Sequence, residues 1–463
     1  TAHRNLLLDD QQRSFVALLP HKPGHGIAAC AAGEDGVVGL RFKGEGPSGE
    51  RVEAHPPLLL RVAGQSRWGS FAYQPVLARQ GRRITREHQL PLALMGHLLE
   101  AYQVGPVPEL LVLGGGGRRL ERERIRLTSG LRKQLSEALR KLNADLERPQ
   151  PPALAADRRK CTLCSWRESC SRVASADGHL SEVSGIGAKR REMLQELGVH
   201  GLNDLASANP ERLAVEMERF GEQHGDVARG LVAQAVAQRD GLVERLDSTF
   251  ALPELQGAPG VLLYDIESDP DARHDFLHGF LRLPRQSDGR WDLAAATYHP
   301  LLVMAEHGEQ RSWLRLQRLL SRYDGWPILH YGETETLSLR RLAQRQGASD
   351  AQLRRLKRRL VDVHARIRSH WRLPLSSYGL KSVAAWRGFR WSQAGVDGAR
   401  ALLWWRQWLG EGPKRRGSRH GLAWIFRYNQ DDCRATWAVA EWLLKEDDLL
   451  KTGPDTDQPT AGP

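Results

Sequence analysis

The sequence predicts a multidomain α/β protein, and three observations carry that expectation. Its 463 residues are 41% hydrophobic, enough to bury a large core and to divide into about three domains. Short apolar runs bounded by turn residues, such as 261–264, Val-Leu-Leu-Tyr, have the length of buried strands. Between them lie stretches with helical spacing, the clearest being Leu131, Leu135, Leu139, Leu142 and Leu146.

Residues 1–155 mix short strands with that leucine-striped helix, whose leucines are expected to form one buried stripe. The run 109–127, Glu-Leu-Leu-Val-Leu through four glycines to Leu127, reads as a hairpin. No Gly-Lys-Ser/Thr follows Gly114 to Gly117, so the glycines read as a turn and not as a phosphate cradle. Residues 156–178 hold Cys161, Cys164 and Cys170 in a C-x2-C-x5-C array. In a reducing compartment that spacing argues for metal ligation over disulfides, because thiolates are soft ligands. Zinc with His179 as fourth ligand is one reading, and three unligated cysteines another.

Residues 179–245 open with Gly185 and Gly187 in a tight turn, followed by Lys189 and Arg190 at a helix start. Bare backbone N–H groups there can approach a phosphate without regard to base identity. A plain helical hairpin packing two domains together is the alternative. Residues 258–446 form a mixed α/β domain: apolar strands at 261–266, 276–283, 301–306 and 327–331 alternate with helices near 334–346 and 430–445. Twelve of the fourteen tryptophans follow residue 290. Trp404, Trp405 and Trp408 are expected in core or groove walls, with a few exposed tryptophans free to stack on bases. Between 353 and 372 stand eight Arg or Lys residues against one acid, Asp362, where substrate strands would have to pass. The tail 447–463 is Pro/Gly/Asp/Thr-rich and reads as disordered.

A net charge of +12 and a pI near 9.7 favour a polyanionic partner, since basic surfaces gain affinity for nucleic acid by counterion release. No stretch reaches the length of a membrane helix, no signal peptide is evident, and a cytoplasmic location with possible nucleoid association is expected. The first residue is Thr1, which suggests that residues upstream are missing.

Four acids carry the chemistry. Asp265 and Glu267 follow the apolar run at a strand end, and their i, i+2 spacing turns both to one face. Glu335 lies in His-Tyr-Gly-Glu-Thr-Glu, where Glu333 is the other choice, and Asp432 lies in Tyr-Asn-Gln-Asp-Asp-Cys. Clustered carboxylates repel and raise each other's pKa values, so divalent cations must neutralise them. Two ions, Mg²⁺ or Mn²⁺, about 3.5–4 Å apart would clamp the attacking and leaving oxygens of a phosphodiester. Cys433 reads as a packed helix residue.

At these residues the chain resembles the DEDD exonucleases of the RNase H-like fold, in their YprB-like branch. The tyrosine subclass has Y-x-x-x-D as its last motif, and Tyr428 stands so before Asp432. The resemblance implies that Asp265, Glu267, Glu335 and Asp432 hold the metals and that Tyr428 orients the attacking water. The second motif departs from the family's usual Asp. The segment 373–389 resembles the family's approach to that last motif and makes Lys381 a phosphate contact. Residues 66–90 resemble a RecB-like nuclease motif in which an acid and a lysine follow Y-x-P; here Leu77 and Arg79 occupy those positions. Neither binds a hard cation, which implies a dead centre with Gln89 as a relic. The cysteine spacing is similar to the [4Fe-4S] staple of RecB-like nucleases, whose fourth cysteine comes from near the N-terminus, where Cys30 is the candidate. Residues 179–206 resemble a helix-hairpin-helix.

Together these segments resemble a bacterial family of RecB-like nucleases. The expectation is a metal-dependent 3′→5′ exonuclease on single-stranded nucleic acid, DNA before RNA. The alternative is a non-catalytic nucleic-acid-binding module or scaffold of a repair or recombination complex.

Overall fold

A computed structural model describes residues 23–80, 86–115, 120–151, 154, 164, 166–270, 274–304, 308–411 and 418–452. Two compact units emerge: Thr1–Ala153 with Arg406–Arg415, and Leu154–Trp405 with Arg416–Pro463.

The first unit carries a six-stranded sheet in the order β1-β2-β5-β6-β7-β8. Its strands are β1 (Gly24–His25), β2 (Gly36–Val38), β5 (Leu58–Ser66), β6 (Gly69–Gln80), β7 (Leu110–Gly115) and β8 (Leu120–Ile125). A two-stranded ribbon, β3 (Phe42–Glu45) and β4 (Arg51–Ala54), accompanies it. After the short α1 (Ile27–Ala31), helix α2 (Arg86–Gln103) packs Leu92, Leu98 and Leu99 into a core with Tyr73 and Leu110. Gly96 permits that approach: a Cβ there would stand 2.7 Å from Leu110 Cδ2. The expected hairpin is the antiparallel pair β7–β8, and its tip at 116–119 lies outside the described residues. The leucine stripe on α3 (Ser129–Glu147) needs correction. Leu131 and Leu135 are buried and Leu139 packs on the core, but Leu142 and Leu146 are exposed, because the helix runs two turns past the core it covers.

The second unit begins with helices α4 (Arg167–Ala176), α5 (Ala188–Glu196), α6 (Leu202–Ala206), α7 (Pro210–Glu218) and α8 (Glu222–Asp240) around Leu194, Leu205, Met217 and Leu231. Asn209 caps α7 by accepting from Arg212 N, with Pro210 preset at the first turn. From α8, Gln234 Nε2 donates to Leu373 O at 2.9 Å, and its Oε1 accepts from the Tyr378 hydroxyl at 2.9 Å. Gln238 reaches back to Glu182 O and accepts from Ser184 N beside the glycine turn. Tyr331 in turn donates to Tyr378 O at 2.6 Å. A chain of polar contacts therefore ties the helical segment to the α/β core.

That core is a five-stranded sheet in the order β12-β11-β10-β13-β14, with β9 (Glu244–Arg245) and β15 (Trp371–Arg372) paired separately. Strands β10 (Gly260–Asp269), β11 (His274–Pro284) and β12 (Thr297–Leu302) are antiparallel; β13 (Ile328–His330) and β14 (Leu360–Asp362) continue from β10 in parallel. Alternation divides the β10 side chains. Leu262 and Tyr264 pack in the layer that includes Trp313 of α9 (Gly308–Arg322) and Leu339 of α10 (Glu333–Arg345). Val261 and Leu263 face the other layer, with Cys433, Trp437 and Leu443 of α15 (Ser418–Thr452). Helices α11 (Asp350–Arg359), α12 (Val363–His370), α13 (Leu380–Trp386) and α14 (Gly398–Glu411) complete the fold.

Several boundaries differ from expectation. Strand β10 continues to Asp269, so Asp265 and Glu267 lie inside it and a bulge falls between Glu267 and Ser268. The third strand is 297–302 rather than 301–306. The last helix begins at Ser418 and runs to Thr452, into the segment read as a disordered tail; residues 453–463 lie outside the described residues. Trp405 and Trp408 are buried, as expected. Half of the basic run, four of its eight residues, is committed to the fold. Arg355, Arg366 and Arg372 pair with Asp324, Glu254 and Glu244, and Arg359 donates to the carbonyls of Leu320, Tyr323 and Trp326.

Candidate metal centre and active site

Asp265 and Glu267 project from β10 opposite Gly279 and Leu277 of β11, and α15 crosses that face. Asp432, on α15, brings a carboxylate oxygen to them: the three residues offer oxygens all within 4.8 Å of one another. They form the one such group of three or more potential metal ligands among the described residues. The helix delivers Tyr428 one turn before Asp432, and Asp432 is among the acids whose charge, after burial, raises the Tyr428 hydroxyl.

Glu335 stands in the first turn of α10, buried, whereas Glu333 is exposed. It lies outside the tight group of three but feels the charge of Asp432. Burial, then Asp362, Asp432 and Asp275, push Glu335 up to about 7. Its Oε2 is buried with no hydrogen-bond partner. A buried carboxylate oxygen in that state requires a proton or a cation. Burial raises Asp432 to about 6 even though Trp391 Nε1 donates to its Oδ1 at 2.6 Å. Asp265 and Glu267 are held well above the carboxylate range by burial first and neighbouring acids second. An oxygen-only, electron-rich donor set with this much unrelieved charge fits hard divalent cations.

Sequence reasoning missed the residues that shape the cluster. Asn429, fully buried, donates from Nδ2 to Asp265 Oδ2 at 2.6 Å and favours the ionised form of Glu267. Its Oδ1 accepts from the Tyr298 hydroxyl at 2.8 Å, which fixes the amide with its N–H groups toward the acids. Asp431, the neighbouring acid, is used differently: its Oδ2 accepts from Ser392 N at 2.8 Å and Ser392 Oγ at 2.6 Å. The paired anchors Trp391–Asp432 and Ser392–Asp431 pin that loop to α15. Lys381, on α13, donates to Val396 O at 2.6 Å and lies 5.3 Å from the Tyr428 ring, over its face. Its charge favours ionisation of Glu267 and Asp432. The sequence signal for Asn429 was available: a polar residue within the otherwise apolar helical series Ile425, Asn429, Cys433. Cys433 is buried there, packed in the core.

The remaining candidates lie elsewhere. Gly185 has φ of +92°, where a side chain is strained, and Gly187 caps α5 with no atom within 4 Å of a Cβ position. Lys189 is exposed, while Arg190 folds back to donate to Gly185 O at 2.7 Å. Cys164 is exposed and Cys170 half-buried; Cys161 lies outside the described residues. His179 Nδ1 accepts from Ser181 N at 3.1 Å, and the Arg191 guanidinium lies 3.5 Å from Nε2. Cys30 is buried, its thiol pushed up to about 11. Leu77 packs against the first unit's core and Gln89 is half-buried on α2; the Arg79 side chain lies outside the described residues.

Residues 262–444 match the family model of the RNase_H superfamily. That span contains Asp265, Glu267, Glu335, Tyr428 and Asp432, and it makes the C-terminal domain RNase H-like, a fold of nucleases that use divalent metals. No curated protein matches the chain.

The raised carboxylates give a pH-dependent stability. Between the ordinary carboxylate pKa of about 4 and the values near 6 and 7 of Asp432 and Glu335, the folded state keeps protons that the unfolded chain has released. Stability without metal therefore falls as pH rises through that window. Cation binding should oppose this, because it requires the ionised forms and stabilises by roughly 2.7 kcal/mol at 100 Kd. Melting from pH 5 to 8 in chelator should show a falling Tm that flattens in Glu335→Gln, and a Mn²⁺-induced rise that grows with pH. Identical profiles for wild type and Glu335→Gln would remove Glu335 from the cluster.

Proposed function

We propose that the protein is a metal-dependent 3′→5′ exonuclease acting on single-stranded nucleic acid, with DNA the first substrate to test. The observation that carries this reading is the convergence of Asp265, Glu267 and Asp432, with Tyr428 one helical turn before the last. Those three acids, with Glu335, would hold two ions of Mg²⁺ or Mn²⁺. When bound, the ions supply Lewis acidity that activates water and offsets charge on the phosphate. Tyr428, whose pKa burial and the acids raise, keeps its proton, so it orients water by hydrogen bonding and does not act as a base. Lys381, whose charge favours ionised Glu267 and Asp432, offers a cation for a non-bridging phosphate oxygen. Water oxygen bonds phosphorus, the bond to the neighbouring 3′ oxygen breaks, and that oxygen takes up a proton. The products are a nucleoside 5′-monophosphate and a strand one unit shorter.

The first unit serves in this reading as an inactive RecB-like scaffold, and residues 179–245 as a helix-hairpin-helix that grips backbone phosphate. The open space around the half-buried Gly187 cap, with no atom within 4 Å of a Cβ position, supports that grip. Cys164 and Cys170, with Cys161, would hold an iron–sulfur cluster or zinc. With Mn²⁺, a 5′-labelled strand should shorten one nucleotide at a time, while circular single-stranded DNA, which has no end, stays intact. Cutting of circles would overturn the exonuclease assignment. Gly187→Asp should weaken binding of long strands and flatten its salt dependence, yet leave the saturated rate on short oligonucleotides nearly unchanged. Equal affinities for the two proteins at every length would reduce Gly185 to Arg190 to packing.

A further inference from the structure

Tyr428 and Asp432 belong to a longer series on α15. One turn before Tyr428 stands Trp424, which is 45% exposed although it is among the largest apolar side chains available. Spacings of four residues put Trp424, Tyr428 and Asp432 along one side of the helix. At 1.5 Å per residue, Trp424 is about 12 Å from Asp432 along the axis. Trp404 of α14 leans against it, ring centroids 5.3 Å apart and planes inclined at 49°. The pair is backed from beneath: the adjacent Trp405 stacks on Phe276 of β11, centroids 4.5 Å apart and planes within 5°. Phe276 is fully buried and Trp405 nearly so, so Trp404 is mounted on a part of the core.

We propose that Trp424, braced by Trp404, is a platform on which an unpaired nucleobase of the substrate stacks, within the last two to four nucleotides of the strand whose end lies at the acid cluster. The proposal rests on the nuclease reading of that cluster and narrows it to a substrate class: ends whose terminal bases are both present and unpaired. Three features support it. An exposed indole beside a catalytic helix turn offers a π-face that accepts any base, which suits a site without sequence preference. Its distance from Asp432 equals roughly three or four stacked nucleotides at about 3.4 Å each, and fewer if the strand is extended. Lys381, over the Tyr428 ring one turn away, supplies positive charge beside the path. A strand laid from Asp432 toward Trp424 would thus meet a cation for its backbone and then a ring for its base. A paired terminus cannot use the ring without first losing its own stacking and pairing.

The test is a cycle of protein and substrate changes, read as equilibrium affinity with Ca²⁺ in place of Mg²⁺ and, separately, as KM and kcat. Trp424→Leu keeps an apolar side chain against Trp404 but removes the π-face, and Trp424→Phe keeps a smaller ring; melting curves establish that each is folded. A set of single-stranded oligonucleotides carries one abasic position in each of the last four places. In wild type, one abasic position should weaken binding about 5- to 150-fold, the range of a lost base–aromatic stack. Trp424→Leu should show that loss on intact strands and none further on the strand abasic at that position, with Trp424→Phe intermediate and kcat at saturation little changed. Equal losses on intact and abasic strands, or none on either, would overturn the platform. If strands are shortened by wild type while these affinities do not move, only the platform fails. If base-dependent binding follows the pattern with no hydrolysis in Mn²⁺, the nuclease reading fails and the platform stands.

Discussion

Asp265→Asn should give a folded protein that no longer shortens a strand. Asp265 is one of three residues whose carboxylate oxygens converge within 4.8 Å, and Asn cannot supply the negative charge that holds a divalent cation. The lost transition-state stabilisation, several kcal/mol, corresponds to a rate lower by roughly 10²- to 10⁴-fold. The fold should survive because the change removes one member of a mutually repelling set. Burial and the charges of Asp432, Glu267 and Glu335 all disfavour the ionised Asp265 in the absence of metal. Melting in chelator should accordingly be unchanged or slightly higher, and the Mn²⁺-induced rise in Tm should shrink. Asp432→Asn should behave alike. A variant with a normal melt, an intact Mn²⁺ response and wild-type hydrolysis would end the assignment of these acids.

Gly279→Ala should damage the same site without touching a charged residue. A Cβ at 279 would lie 1.6 Å from Asn429 Oδ1 and 2.9 Å from the Tyr298 hydroxyl. Asn429 is fully buried and bonded on both sides, so it has nowhere to retreat. The overpacking should cost about 1–3 kcal/mol and lower Tm by several degrees. Displacing the Asn429 amide also releases Asp265, so the Mn²⁺ response and hydrolysis should fall with stability. Adding Asn429→Ala should relieve the clash and recover much of the Tm while leaving activity low, since the N–H donors remain absent. If Gly279→Ala alone melts and binds Mn²⁺ like wild type, the close approach of β11 and α15 has no bearing on the site.

What the sequence made legible followed from short-range periodicity. Strand alternation put Asp265 and Glu267 on one face, and helical spacing put Tyr428 beside Asp432; both relations are local and survive any tertiary arrangement. The apolar run of β10 marked a central strand because both its faces are covered. Legibility stopped where a residue's role depends on a partner far along the chain. Asn429 matters because Gly279 and Tyr298 make room for it and orient it, and they lie 150 and 131 residues away. Trp391 reaches Asp432 from a loop whose course has no periodic signature. The leucines of α3 show the converse failure: helical spacing identified a face but not how much of it a neighbour would cover. The basic run of 353–372 likewise looked wholly available, yet four of its eight basic residues meet specific carbonyls and carboxylates.

The two glutamines of α8 have a further consequence for how digestion would end. Gln238 holds the loop before the glycine turn, and Gln234 holds Tyr378, whose carbonyl holds Tyr331 near Glu335. With these bonds in place, a glycine hairpin that grips phosphate as proposed would work with the acids as two jaws set at a constant gap. A strand long enough to span the gap would then be gripped twice and one too short gripped once, so the hold would weaken in a single step and not gradually. On that geometry the fragments left behind would accumulate at one length, and that length would report the gap, much as the smallest retained particle reports the mesh of a sieve.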